Sequence, residues 1–309
     1  MPAAGTPRRN LLNSGSMEII RTVSWMKQAA RQARAENHLI GLVPTMGALH
    51  EGHLSLLDRA RRECSRVFAS IFVNPAQFAA NEDLERYPRP FAADVLALET
   101  AGVDVLFAPE AAEIYPAGFA TYVTVEGMSE RLEGRSRPGH FRGVATVVLK
   151  LVEMAQPHFA FFGRKDAQQA ALLRRMLEDL NSDVELVVCP IVREPDGLAR
   201  SSRNAYLEPG ERRAATVLYA ALEAARREIA SGTRDALAIE NAALAVLGRE
   251  KLARVDYVQL ADGDEFQRVA RIGARGAYLL VAVFIGKTRL IDNLLIEVDP
   301  VSGNPVATL

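Results

Sequence analysis

The stretch Leu42-Val-Pro-Thr-Met-Gly-Ala-Leu-His-Glu-Gly-His-Leu54 sets two imidazoles, His50 and His53, three residues apart in a run that also carries Gly47 and Gly52. At the start of a helix that spacing puts both rings on one face. Free N–H groups and the positive helix end favour an anion there. The two glycines let the backbone approach a ligand, and two imidazoles beside a phosphate can follow the charge that develops during displacement. Taken alone, the pair fits equally well two polar residues closing a βα loop. Zinc chemistry is a weaker reading: the other histidines are His38, His140 and His158, and no cysteine pair or His-Glu-x-x-His helix completes a ligand set. The first βα turn has no G-x-G-x-x-G, and no G-x-x-x-x-G-K-[ST] loop occurs.

Four further stretches carry polar chemistry. Ile71-Phe-Val-Asn-Pro-Ala-Gln-Phe78 offers the neutral amides of Asn74 and Gln77, which suit a hydroxyl or carboxylate; an Asn-Pro turn is the plain alternative. In Phe162-Gly-Arg-Lys-Asp-Ala-Gln-Gln169, Lys165 can neutralise a polyphosphate, and Asp166 can orient Lys165 or meet a magnesium-bound nucleotide. A helix cap with a solvated lysine has the same residues. Val192-Arg-Glu-Pro-Asp-Gly-Leu-Ala-Arg-Ser-Ser-Arg-Asn204 packs Arg193, Arg200, Ser201, Ser202 and Arg203 into a short loop, phosphate-binding chemistry that an interdomain linker shares. Arg135-Ser-Arg-Pro-Gly-His-Phe-Arg-Gly143 is a basic loop whose Pro-Gly pair predicts a turn.

These loops need a frame that gathers them. From Met17 to about Pro190, short β-branched runs alternate with helical stretches, the pattern of a doubly wound parallel sheet covered by helices. Strands are predicted over residues 40–43, 67–73, 103–107, 159–162 and 184–189, and crossover helices over 54–63, 92–101, 144–155 and 168–180. The histidine, amide and lysine loops then share the carboxyl edge of the sheet, where ligands of open α/β folds bind. Beyond Pro190, helical stretches over 209–230 and 233–247 precede strands over 255–260, 278–285 and 290–298, which predicts a smaller α+β domain beginning near Val192.

The 309 residues suit about two domains. With 49% hydrophobic and 24% charged residues the chain reads as a globular protein, and its longest apolar run, Ala277–Ile285, is far short of the roughly 20 residues of a membrane helix. A formal net charge of −1 gives no basic field for nucleic acid. Cys64 and Cys189 are too few for a disulfide framework and read as reduced thiols of a cytoplasmic protein. Residues 1–16 lack the apolar core of a secretory signal and are expected to form a disordered tail.

Taken in order, Pro44-Thr-Met-Gly-Ala-Leu-His-Glu-Gly-His53, Val73-Asn-Pro-Ala-Gln-Phe78, Arg137-Pro-Gly-His-Phe-Arg-Gly-Val144, Phe162-Gly-Arg-Lys-Asp-Ala-Gln-Gln169 and Asp196-Gly-Leu-Ala-Arg-Ser-Ser-Arg-Asn204 resemble the pantothenate synthetase family, from Met17 to about Val298. The resemblance implies a Rossmann-like nucleotidyltransferase domain over 17–191 and a C-terminal lid over 192–309. It implies that the (R)-pantoate carboxylate attacks the α-phosphorus of ATP and releases pyrophosphate, and that β-alanine then attacks the pantoyl adenylate and releases AMP. By the same resemblance Met46, Gly47, Ala48, Leu49, His50, Glu51, Gly52, His53, Gly163, Arg164, Lys165, Asp166, Val192, Arg200, Ser201, Ser202 and Arg203 meet ATP. His53 would be the general acid, His50 would hold the phosphates, and Lys165 and Arg203 would neutralise them. Pyrophosphate leaves well at neutral pH, so a histidine there need only stabilise charge by a hydrogen bond. Asn74, Gln77 and Gln169 would bind pantoate, with Gln77 also near β-alanine. Magnesium would accompany ATP without a fixed protein metal site, and a homodimer is implied.

Arg164, Ala167 and Arg200 depart from the usual family pattern, and the two arginines are expected to add positive charge beside the nucleotide. Competing readings are another nucleotidyltransferase of the superfamily, a metal-dependent hydrolase built on the two histidines, and a nucleotide sensor without turnover. The three amides favour a small hydroxy acid.

Overall fold

A computed structural model describes residues 16–79 and 82–309, so the tail expected over 1–16 lies outside the described residues except for Ser16. Six strands, β1 (Glu18–Ile20), β2 (Ile40–Thr45), β3 (Arg66–Ile71), β4 (Val105–Phe107), β5 (Phe159–Gly163) and β6 (Glu185–Cys189), form one sheet in the order β1-β4-β3-β2-β5-β6. Every neighbouring pair is parallel. A parallel sheet is covered on both faces, and its strands show it: Ile40 and Leu42 of β2 pack into one apolar cluster and Val43 into another.

The helices divide accordingly. In chain order they are α1 (Val23–Ala35), α2 (Glu51–Glu63), α3 (Phe91–Thr100), the single turns α4 (Ala111–Ile114) and α5 (Glu133–Ser136), α6 (His140–Ala155) and α7 (Ala167–Asp179). α1, α6 and α7 bury Met26, Val148 and Leu173 on one face, whereas α2 and α3 bury Leu57 and Leu98 on the other. The predicted strands and crossovers all form, with ends shifted by a few residues. β1 and α1 are additional to the expected elements.

After β6 come α8 (Pro209–Ala214), α9 (Val217–Ala230) and α10 (Ala236–Leu247), then β7 (Ala253–Ala261), β8 (Ala277–Ile285), β9 (Thr288–Val298) and β10 (Pro305–Thr308). The strands make a separate antiparallel sheet in the order β10-β9-β8-β7. Its side chains alternate with the pleat. Leu279, Val281 and Val283 of β8 pack with α9 and α10, while Leu280 and Ala282 join the core of the first sheet. This double burial explains why residues 277–285 are apolar without interruption. The helix expected over 209–230 is broken at Thr216, whose hydroxyl donates back to the Arg213 carbonyl at 2.8 Å.

Candidate active site

The chain leaves β2 for β3 on one side, while β5 pairs with β2 on the other. The loops after these two central strands diverge, and a crevice opens between their carboxyl ends, the place where open α/β sheets bind ligands. A cavity of about 230 Å³ occupies it. Its lining draws on Met46, His50, Gly52 and His53 after β2, Asn74 and Gln77 after β3, Gly163, Lys165, Asp166 and Gln169 after β5, and Val192, Arg200, Ser201, Ser202 and Arg203 after β6. Fifteen of the residues expected at the site therefore face one space.

His50 caps α2. Its Nδ1 accepts the Gly52 N–H at 3.1 Å, and His53 Nδ1 accepts the His50 N–H at 3.3 Å. The rings lie 4.1 Å apart. Burial, then the Lys165 ammonium, holds His50 down to about 4; burial, then His50, holds His53 down to about 3. Both imidazoles are neutral at neutral pH. With each Nδ1 already accepting, the proton sits on Nε2, so each ring can offer the cleft one N–H donor.

Gly47, Ala48, Leu49 and Glu51 are not brought to the lining. Asp94 of α3 takes the loop's donors: its carboxylate accepts Ala48 N–H at 2.9 Å and Leu49 N–H at 2.8 Å. Gly47 sits at φ +80°, and a Cβ there would come within 2.9 Å of that carboxylate. Glu51 instead pairs with Arg200 at 3.2 Å. Asp94 was not among the expected site residues. Its signal is a carboxylate sharing the inward face of a helix with Leu98, four residues on.

The basic loop over 135–143 proves to be a buttress for the amide turn. His140 Nδ1 lies 2.9 Å from the Gln77 carbonyl, and its Nε2 lies 3.1 Å from Arg137, which also grips Glu82 at 2.8 and 2.6 Å. Burial, then Arg137, holds His140 down to about 4, so the neutral ring donates from Nδ1 and accepts at Nε2. Gly143 lets α6 approach: a Cβ would meet the Ala76 carbonyl oxygen at 2.2 Å. Further along α6, Val144, Val147, Val148 and Leu151 form the apolar wall of the cleft.

In the loop after β6, Arg203 holds Asp83 through two bonds of 3.1 Å, and Ser202 meets the Tyr87 hydroxyl at 3.1 Å. Lys165, Asp166 and Gln169 line the cleft with no side-chain hydrogen bond or ion pair among the described residues. The two arginines expected to charge the nucleotide site behave otherwise. Arg164 is 8% exposed and turns from the cleft, with Nη2 3.5 Å from the Thr308 carbonyl. Arg200 is balanced by Glu51 and by Glu194 at 3.7 Å. Asn293 of β9, also unanticipated, donates to the carbonyls of Arg164 and Lys165 at 2.9 and 3.0 Å and pins their turn. Among the described residues no three His, Cys, Asp or Glu side chains gather as a metal site.

The fold has close counterparts. A family model described as Pantoate-beta-alanine ligase matches residues 18–295. A pantothenate synthetase from Roseiflexus castenholzii is 56% identical over 268 residues, 86% of this chain and 96% of the relative. The crystal structure of pantothenate synthetase from Thermus thermophilus superposes with a TM-score of 0.84 at 45% identity, covering 90% of this chain and 99% of that one. A pantoate-beta-alanine ligase from Francisella tularensis, complexed with beta-gamma ATP and beta-alanine, does so with a TM-score of 0.75 at 34% identity, over 91% of this chain and 98% of its own. With the match running from the first strand of the parallel sheet into the antiparallel one, the chain belongs to the pantoate-beta-alanine ligase family.

Proposed function

We propose that this protein joins (R)-pantoate to β-alanine in two steps at the cleft between β2 and β5. One observation carries the reading: a donor-rich side made of the His50 and His53 Nε2–H groups, Lys165, Ser201, Ser202 and Arg203 shares one cleft with the neutral amides of Gln77 and Gln169 and with a valine-rich wall. The donor-rich side suits a triphosphate. The amides suit a small hydroxy acid, and the wall suits the two methyl groups on pantoate's quaternary carbon.

In the first step a pantoate carboxylate oxygen attacks the α-phosphorus, the bond to the bridging oxygen breaks, and pyrophosphate leaves with that electron pair. His53 stabilises the developing charge as a neutral donor, His50 holds the phosphates, and Lys165 and Arg203 offset their charge. In the second step the neutral amine of β-alanine attacks the acyl carbon of the adenylate. The C–O bond to AMP breaks with its electron pair staying on the AMP phosphate oxygen, and the proton shed by the nitrogen passes to solvent water. Asp166, the one carboxylate lining the cleft among the described residues, fits an oxygen ligand for magnesium carried in by ATP. When bound, the ion would supply further charge neutralisation on the phosphates.

The reading extends to a boundary near Val192, with residues 192–309 acting as a lid. Their Arg203 reaches Asp83 of the first part, which supports that role. It also extends to a cytoplasmic location, consistent with two free buried cysteines, and to a homodimer, which the family likeness supports. The test is pyrophosphate release from ATP and magnesium with D-pantoate, in single turnover without β-alanine and in steady state with it. A stoichiometric burst that becomes continuous turnover to AMP and pantothenate is expected. Folded protein that binds ATP yet gives no pantoate-dependent pyrophosphate would refute the assignment in favour of another acceptor or a sensor.

A further inference from the structure

Behind Gln77 runs a chain of hydrogen bonds whose direction is fixed by two backbone groups. Asn74 is 1% exposed and caps the short 3-10 turn Pro75–Gln77. Its Oδ1 accepts the Ala76 N–H at 3.3 Å, and its Nδ2 donates to the Gly143 carbonyl at 3.1 Å. A backbone N–H only donates and a carbonyl only accepts, so the Asn74 carboxamide has one possible orientation. Its remaining amide hydrogen goes to Gln77 Oε1 at 3.1 Å. Gln77 must then turn its Nε2 the other way, where it lies 2.9 Å from Met46 Sδ at the cleft. The second lone pair of Asn74 Oδ1 is taken by the Tyr115 hydroxyl at 2.8 Å.

Tyr115 itself is not part of the cleft lining. Its ring packs on Phe72 and Phe119, with centroids 6.3 and 5.0 Å away. Burial, then the neighbouring Tyr122, pushes its phenol up to about 12, so it remains a donor through neutral pH. Asn74 spends every polar group on the protein, which leaves it nothing to offer a substrate.

We propose that Tyr115 and Asn74 are positioning residues that act through Gln77, holding its carboxamide as a hydrogen-bond donor so that the cleft accepts a substrate oxygen at that point. This rests on the pantoate reading above and replaces a direct contact by Asn74 with an indirect one. Turning Gln77 over would set two N–H groups against each other and leave the Asn74 amide hydrogen unsatisfied. The Tyr115 bond stiffens the arrangement by engaging the acceptor that anchors it.

The test is Tyr115→Phe in the full chain, which removes the hydroxyl and keeps the ring. The KM for pantoate should rise about threefold to tenfold, the scale of one buried hydrogen bond, while the KM for ATP stays within about twofold. A purely structural role would move both together. An unchanged pantoate KM, or equal rises for both substrates, would overturn the proposal. A second readout needs no substrate: hydrogen exchange of the Asn74 side-chain amide, followed by NMR in ligand-free protein, should quicken in Tyr115→Phe. Equal protection in the two proteins would also overturn it. If the unsubstituted protein shows no pantoate dependence, the functional assignment fails, and the exchange measurement still decides the relay.

Discussion

A side chain that delivers a proton efficiently near neutral pH has a pKa close to 7, and His50 and His53 lie at about 4 and about 3. Their Nδ1 atoms are engaged by backbone N–H groups, so what each ring gives the cleft is a fixed Nε2–H dipole. A neutral donor can be imitated by an amide, whereas an acid cannot. His53→Ala should therefore lower turnover about a hundredfold or more with ATP affinity within about threefold, and His53→Gln should recover part of the loss. Equal turnover of the two variants in rapid-quench assays would favour proton transfer. The same burial makes a stability prediction. Unfolded histidines bind protons from about pH 6.5 downward, while the folded His50, His53 and His140 resist them until about pH 4 or below. The unfolded state thus binds more protons in this window, and stability falls as pH drops through it. The melting temperature should be level above about pH 7 and decline steadily from about 6.5 to 4.5; a level profile down to about pH 5 would contradict neutral burial.

At the scale of elements, the cleft depends on how closely α6 approaches the Pro75–Gln77 turn. Gly143 makes that approach, and Gly143→Ala would drive a methyl group into the Ala76 carbonyl. The substitution should cost about 1–3 kcal/mol in urea unfolding and raise the KM for pantoate more than that for ATP, because Gln77 is carried on the displaced turn. Equal changes in the two KM values would show that the turn is not the coupling. This contact also marks what the amino-acid order could reveal. β2 and β5 were legible because strands buried on both faces leave unbroken apolar runs, and His50 and His53 because three-residue spacing at a loop speaks for itself. β1 has three residues and exists through its pairing with β4. α1 buries Met26, Ala30 and Ala33 among arginines, lysine and glutamines, too small an apolar stripe to stand out. Asp94 and Asn293 were hidden for another reason: a polar residue inside a helix or strand reads as solvent-facing until its distant partner is known. Asn74 was legible as an amide of the site, but its direction is set by Gly143, 69 residues away.

At the scale of the whole molecule, the antiparallel sheet is tied to the loops that frame the cleft. β9 reaches into the first sheet's loops at adjacent positions. Asp292 grips Arg193 at 2.7 and 3.0 Å, and Asn293 holds the carbonyls of Arg164 and Lys165. A second tie joins Arg289 of β9 and Tyr257 of β7 to the buried Glu133 carboxylate. Burial alone would raise that carboxyl; the Arg289 guanidinium outweighs it and holds it below the ordinary range. Because the Glu133 tie fixes the sheet independently, Asn293 can be removed without freeing the sheet as a body. Asn293→Ala strips both carbonyls of their donor and should cost about 1–3 kcal/mol of stability. Its effect on catalysis should be selective: the Lys165 turn loosens, so the KM for ATP rises several-fold, while pantoate, which on the proposed reading is held by Gln77 on a separate loop and by Gln169 within α7, binds as before. Adding Glu133→Gln should instead weaken both substrates together, since it takes from the partly buried Arg289 one of its two carboxylate partners, leaving Asp256 at 2.7 Å, and so loosens the tie between the sheet and α5. If Asn293→Ala already shifts both KM values in proportion, the sheet moves as one piece and the local clamp on Lys165 is not what couples it to the site.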